Sequence, residues 1–173
     1  MLEAAILVVF PFAMVHAAIS DMLSMTIVNR VSLLLVVTFA IVAPLTGMDT
    51  QTLLSHVAAF AIVLAVCFGF FAAGAMGGGD AKLLAATSLW FGLSFGLMEY
   101  LLVSSLIGGV LTLCILRYRA SPVAILTGRY EFLRRLGDPK EKIPYGIALG
   151  IGGLMVFPNS EMAQWVIHRL AAF

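Results

Sequence analysis

Charge is scarce in this chain, and that scarcity decides the solvent it lives in. Only 11% of its 173 residues are Asp, Glu, Lys or Arg, while 62% are hydrophobic; soluble domains carry roughly 25% charged residues. A core of this length has too little interior to hide so much apolar surface, because small domains leave much of their chain exposed. Lipid accepts it instead. Neither sign of charge dominates: a net charge of +1 leaves no basic footprint for nucleic acid. Cysteine is nearly absent too. Cys67 and Cys114 stand alone inside apolar runs, with no CxxC pair, which argues against a disulfide framework or a zinc site. Both read as small apolar helix residues. Internal repeats and low-complexity segments are also missing. The first twenty residues, MLEAAILVVFPFAMVHAAIS, have the apolar centre of a secretory signal and small residues at Ala17-Ala18. Their only early charge is Glu3, where a signal peptide carries Lys or Arg. The segment is therefore expected to stay as a first transmembrane helix.

What the sequence has in abundance is apolar stretches of spanning length. A hydrocarbon core about 30 Å thick needs roughly 20 apolar residues in a helix. Candidate stretches run near 4–20, 31–47, 53–75, 83–98, 100–117 and 144–158. Between 81 and 117 only Lys82, Glu99 and Arg117 are charged. As one helix that stretch would measure about 55 Å, so a tight hairpin at Glu99-Tyr100 is expected to divide it. With the N-terminus outside, the inner loops are 21–30, 76–83 and 118–143. Together with Arg117 these hold nine of the ten basic residues and leave only Arg169 outside. The positive-inside rule thus favours about six spans with both ends out. The expected fold is an all-α, polytopic transmembrane helix bundle, a single domain over residues 1–173. From Ser121-Pro122 to Gly137, PVAILTGRYEFLRRL reads as a short amphipathic helix on the cytoplasmic surface, whose basic side chains suit anionic headgroups before a direct role in docking substrate. Residues 161–173 are too short to cross and are expected in the interface. Gly92/Gly96 and Gly146/Gly150 sit at helical spacing, which reads as close helix packing.

The acidic residues carry the chemistry. Glu3, Asp49, Glu99 and Glu161 fall at the outer face, and Glu131, Asp138 and Glu141 in the long inner loop. Asp21 and Asp80 differ, since each lies where an apolar span meets the inner side. Ionisable groups near lipid are costly, so a functional role is the default expectation. Alone, either one also reads as a helix cap. The run Gly77-Gly78-Gly79-Asp80 weighs towards function, because glycine permits close backbone approach or positive φ. Irregular backbone at membrane depth survives only when buried in protein or lining a cavity. Two carboxylates facing such a cavity share a proton and can activate water against a peptide carbonyl, chemistry that needs no metal or cofactor. Lys82 cannot share a helix face with Asp80 two residues away. It is expected to contact headgroups, substrate or the glycine loop. His16 reads as a hydrogen-bonded helix histidine before a proton relay.

At these motifs the chain resembles the type IV prepilin peptidases, which are GxGD aspartyl proteases. GGGDAKLLAA matches GxGDxKL at Gly77, Gly79, Asp80, Lys82 and Leu83. SDMLSMTIVNRV is similar to the first-aspartate motif, with Ile27-Val28-Asn29 where Ile-Pro-Asn is usual. KIPYGIALGIGG places Pro144, Tyr145 and Gly146 at the segment before the last helix. Length suggests the small CpaA/TadV-like branch that serves tight-adherence (Flp) pili. The resemblance implies Asp21 and Asp80 as the catalytic pair, supported by Gly77, Gly78, Gly79, Lys82, Asn29, Pro144, Tyr145 and Gly146. It implies a prepilin or pseudopilin substrate, cut after a basic leader at the cytoplasmic face of the bacterial inner membrane, for pilus assembly or secretion. The cysteine-bearing loop of the methylating relatives is missing, so N-methylation is not expected. Two other classes compete. A proton- or cation-coupled transporter would put its acids near mid-bilayer and often in repeated halves. A non-catalytic scaffold of a pilus machine would use the aspartates only as caps.

Overall fold

The computed structural model describes residues 1–127 and 129–171, and every regular element among them is helical. The first helix, α1 (Leu2–Ser24), buries Ile6, Phe10, Ala13, Met14, Ala17 and Asp21, one face at the 3.6-residue period. Met25 stops it in the left-handed conformation, its N–H returning to the Asp21 carbonyl at 2.9 Å. Next come α2 (Asn29–Leu45) and α3 (Thr50–Ala72). Asp49 caps α3 by accepting from the N–H groups of Gln51 (3.0 Å) and Thr52 (3.1 Å). With the Thr52 hydroxyl, these bonds hold its carboxyl below the usual range. At the other end of α3, Gly74 takes φ 75°, while Ala75 N–H reaches the Phe70 carbonyl and Gly74 N–H that of Phe71. That pattern is a Schellman stop.

The centre of the molecule is α4 (Gly78–Phe91), in which Ala81 and every residue from Leu83 to Phe91 are buried. It packs against α2 and α3 and touches α8 (Gly146–Val156) and α9 (Glu161–Ala171). The Trp90 indole donates to the Leu35 carbonyl at 3.1 Å, and Phe10 lies against both Trp90 and Phe157. Outside this centre, α1 packs on α8 and α2, and α5 (Phe95–Arg119) packs on α8. Close approach explains the Gly146/Gly150 spacing. A Cβ on Gly150 would lie 2.8 Å from the Met14 carbonyl oxygen, and one on Gly146 would meet Asp21.

Several expectations change here. The break between the fourth and fifth stretches is at Gly92–Ser94, not at Glu99-Tyr100, which lie inside α5. Gly92 reaches φ 65° and Ser94 caps α5, so the turn chemistry sits there. For the same reason Gly92 and Gly96 do not form a packing pair on one helix. Three helices, α1, α3 and α5, are long and apolar enough to cross a membrane, which makes this a membrane protein. The apolar stretch Asn29–Leu45 is shorter, as is Gly146–Asn159, and α4 has 14 residues, so a count of six spans is not established. The surface helix expected after Pro122 is divided into α6 (Pro122–Thr127) and α7 (Glu131–Gly137); Gly128 lies outside the described residues. The C-terminal segment is more than interfacial: α9 buries Met162, Ala163 and Val166 against the bundle, and Arg169 pairs with Glu3 at 3.2 Å.

Candidate active site

Asp21 extends the buried face of α1 by one more step and is its only charged member. It is 5% exposed. A buried carboxylate needs a donor, and the donor is the first N–H of α8: Gly146 N donates to Asp21 Oδ2 at 2.6 Å. Helix N-termini leave such N–H groups without intrahelical partners, so a residue at the end of α1 completes a helix 125 positions later in the chain.

Asp80 sits in the first turn of α4 and reaches back over the glycines. A Cβ on Gly77 would lie 2.5 Å from Asp80 Oδ2; one on Gly78 would meet the Phe71 ring at 3.2 Å, and one on Gly79 would meet Ile27 Cβ at 3.2 Å. None of the three has positive φ. Their use is space, not left-handed backbone, and each one clears a different neighbour. Ile27 also lies where a Cβ on Gly146 would meet its Cδ1 at 2.8 Å. One side chain therefore packs the glycine run against the start of α8 and draws the two aspartate-bearing segments together. The Asp80 carboxylate is within electrostatic reach of Asp21 and of the Lys142 ammonium.

Beside Asp80 opens a cavity of about 720 Å³, walled by Phe70, Phe71, Met76, Thr112, Lys142 and Tyr145 among others. Its walls are largely apolar and its charged groups are one carboxylate and one ammonium. The Tyr145 ring lies across Gly108 of α5, where a Cβ would overlap it. A smaller cavity of about 290 Å³ at the other end of the bundle includes Asp49, Glu161 and Trp165. Its carboxylates are already engaged, Asp49 as a cap and Glu161 with His56 Nε2 at 3.3 Å.

The supporting residues separate into two groups. Gly77, Tyr145 and Gly146 touch an aspartate or its cavity, and Pro144, next to Tyr145 in the chain, is buried. Lys82 instead donates to Asn29 Oδ1 at 3.1 Å, tying the start of α4 to the start of α2 and pointing away from Asp80. His16 is on the exposed face of α1, beside Phe12, and takes no part in the site. Sequence reasoning gave no role to Lys142 or Thr112, and named Ile27 only as part of the first-aspartate motif. Lys142 carried a signal, standing two residues before Pro144; the packing role of Ile27, in the loop between α1 and α2, and the place of Thr112 on the cavity wall emerge only when the fold assembles them.

The profile of the type IV leader peptidase family matches residues 8–113. This chain belongs to the type IV leader peptidase family. The matched region holds Asp21, Asn29, the glycine run, Asp80 and Lys82, whereas Pro144-Tyr145-Gly146 falls beyond it. No curated protein and no solved structure gave a significant match. In this leader peptidase, then, the segment outside the matched region supplies the N–H that Asp21 binds and one wall of the cavity beside Asp80.

Proposed function

We propose that this leader peptidase is an aspartyl endopeptidase in which Asp21 and Asp80 form the catalytic pair. Its substrates are prepilin-like precursors, cut at the cytoplasmic face of a bacterial inner membrane. The observation that carries the reading is the juxtaposition at the cavity: Asp80 lines it, and Asp21 lies buried within electrostatic reach. Family membership supports peptide hydrolysis, and the GxGD run supports the carboxylate chemistry.

Two neighbouring carboxylates resist joint ionisation and hold one proton between them. In the proposed reaction the ionised member takes a proton from water as that water attacks the scissile carbonyl carbon. The protonated member donates a hydrogen bond to the carbonyl oxygen, which gathers negative charge in the tetrahedral intermediate. Collapse breaks the C–N bond, and the proton taken from water passes to the departing amine. The Gly146 N–H occupies one lone pair of Asp21 Oδ2, which fixes the plane of that carboxylate and leaves Oδ1 for the shared proton. The largely apolar cavity walls lower the local dielectric around the carboxylates, which strengthens these interactions. Both acids lie at one end of the bundle, which disfavours a transport path through its middle.

The test is a size-shift assay with a candidate prepilin from the same genome, co-expressed with wild type, Asp21→Asn or Asp80→Asn. Membrane levels of each variant are measured in parallel. Wild-type cleavage that disappears in both variants is the expected outcome. Cleavage by both well-expressed variants would eliminate the dyad.

A further inference from the structure

The α6–α7 hairpin has a surface that the catalytic reading does not use. Residues 117–142 hold seven basic and three acidic side chains. Within them Val123, Ile125 and Leu126 of α6 face outward, Ile125 at 86% and Leu126 at 78% exposure, and Tyr130 follows at 66%. Ala124, half-buried like Thr127, packs towards Gly137 of α7. The hairpin is not loosely attached. Tyr118 bonds the Thr127 hydroxyl and the Leu133 carbonyl, and Arg119 donates to the carbonyls of Leu136 (2.8 Å) and Glu141 (3.0 Å). These bonds fix it at the end of α5, where the chain leaves its last long apolar helix.

Besides Arg119, which binds carbonyls, and Lys142, which lines the cavity beside Asp80, the basic side chains fall into two sets. Arg134 and Arg135 both pair with Glu131, while among the described residues no carboxylate lies within ion-pair distance of Arg117, Arg129 or Lys140. Exposed aliphatic side chains beside uncompensated cations, held at the end of a spanning helix, complement a surface that is anionic outside and apolar just beneath. We propose that the α6–α7 hairpin docks on anionic phospholipid headgroups, with Ile125 and Leu126 entering the acyl boundary and Arg117, Arg129 and Lys140 binding the lipid phosphates. This inference is independent of the protease reading.

The test places a lipid-sensitive label on the full-length protein. In a C67A/C114A background, I125C or L126C carries an NBD fluorophore, and the protein is reconstituted in phosphatidylcholine vesicles with or without phosphatidylglycerol. With phosphatidylglycerol, emission shifts to the blue, and lipid-borne spin labels quench it. High salt or the R129E/K140E pair reverses both effects. Emission that stays water-like in both vesicles, at both positions, overturns the proposal. So does an equal shift in both vesicles, which would mean apolar burial without charge recognition. A blue shift without lipid quenching that appears only on adding a substrate peptide would make the hairpin a protein-docking surface instead.

Discussion

A Cβ on Gly77 would lie 2.5 Å from Asp80 Oδ2, and one on Gly146 would lie 2.8 Å from Asp21 Oδ2 and equally close to Ile27 Cδ1. The two positions fail differently. At Gly77 the obstacle is the free end of a carboxylate, which can swing aside; the fold survives and the reacting group moves. At Gly146 the obstacles include Asp21 Cβ at 2.9 Å, which is fixed to the helix, so the helices themselves must separate. Overpacking of that kind costs about 1–3 kcal/mol, and misplacing a reacting group by about 1 Å costs up to about 10²-fold in rate. Gly77→Ala is therefore expected to lower kcat about 10²-fold with an unchanged Tm, and Gly146→Ala to lower both. Gly69 and Gly109 have nothing within 4 Å of a Cβ, so alanine there should leave kcat within about twofold of wild type. Purified variants assayed on a prepilin peptide, with thermal melts in detergent, decide it. Loss of activity at Gly109 as severe as at Gly77 would refute the steric account.

Among the elements, α4 shows most clearly what the sequence could and could not convey. Its apolar stretch, its start at the glycine run and Asp80 were all legible. Its central place was not: a helix buried on every side has no polar face to set its phase, and it reads like any lipid-facing segment. Its end was expected at Glu99-Tyr100, the one charged point inside the long apolar stretch, whereas Gly92, expected to serve helix packing, carries the positive φ that stops the helix. Asp21 was legible as an acid at a span boundary, but its partner N–H, 125 residues away, follows from helix packing that no local pattern encodes. The difference between α4 and α5 is measurable. Leu83 of α4 is fully buried, whereas Leu106 of α5 is 62% exposed. Leu83→Ala opens a cavity among side chains that cannot all close on it and is expected to cost about 2–5 kcal/mol. Leu106→Ala gives up contact with lipid, which flows into the space, and should cost well under half as much. Denaturant unfolding in mixed micelles reads both. Equal losses would mean that α5 is packed against protein at Leu106.

The whole molecule is polar at its ends in an unequal way. One end gathers Asp21, the glycine run, Asp80, the α6–α7 hairpin and Lys142, and holds nine of the ten basic residues. The other gathers Asp49, Gly92, Glu161 and the Glu3–Arg169 pair. Cationic loops resist translocation while carboxylates contribute little to orientation, so on the proposed reading the basic end, and with it both aspartates, is expected on the cytoplasmic side. Gln51 is exposed just inside α3 at the acidic end, and Lys140 is exposed beyond α7 at the basic end. In a C67A/C114A background in intact cells, a membrane-impermeant maleimide is expected to label Q51C and to label K140C only after the membrane is opened. The reverse pattern would put Asp21 and Asp80 on the outer side. A precursor held in the cytoplasm by an uncleaved leader could not then reach them, and the substrate assignment would fall while the family membership stood.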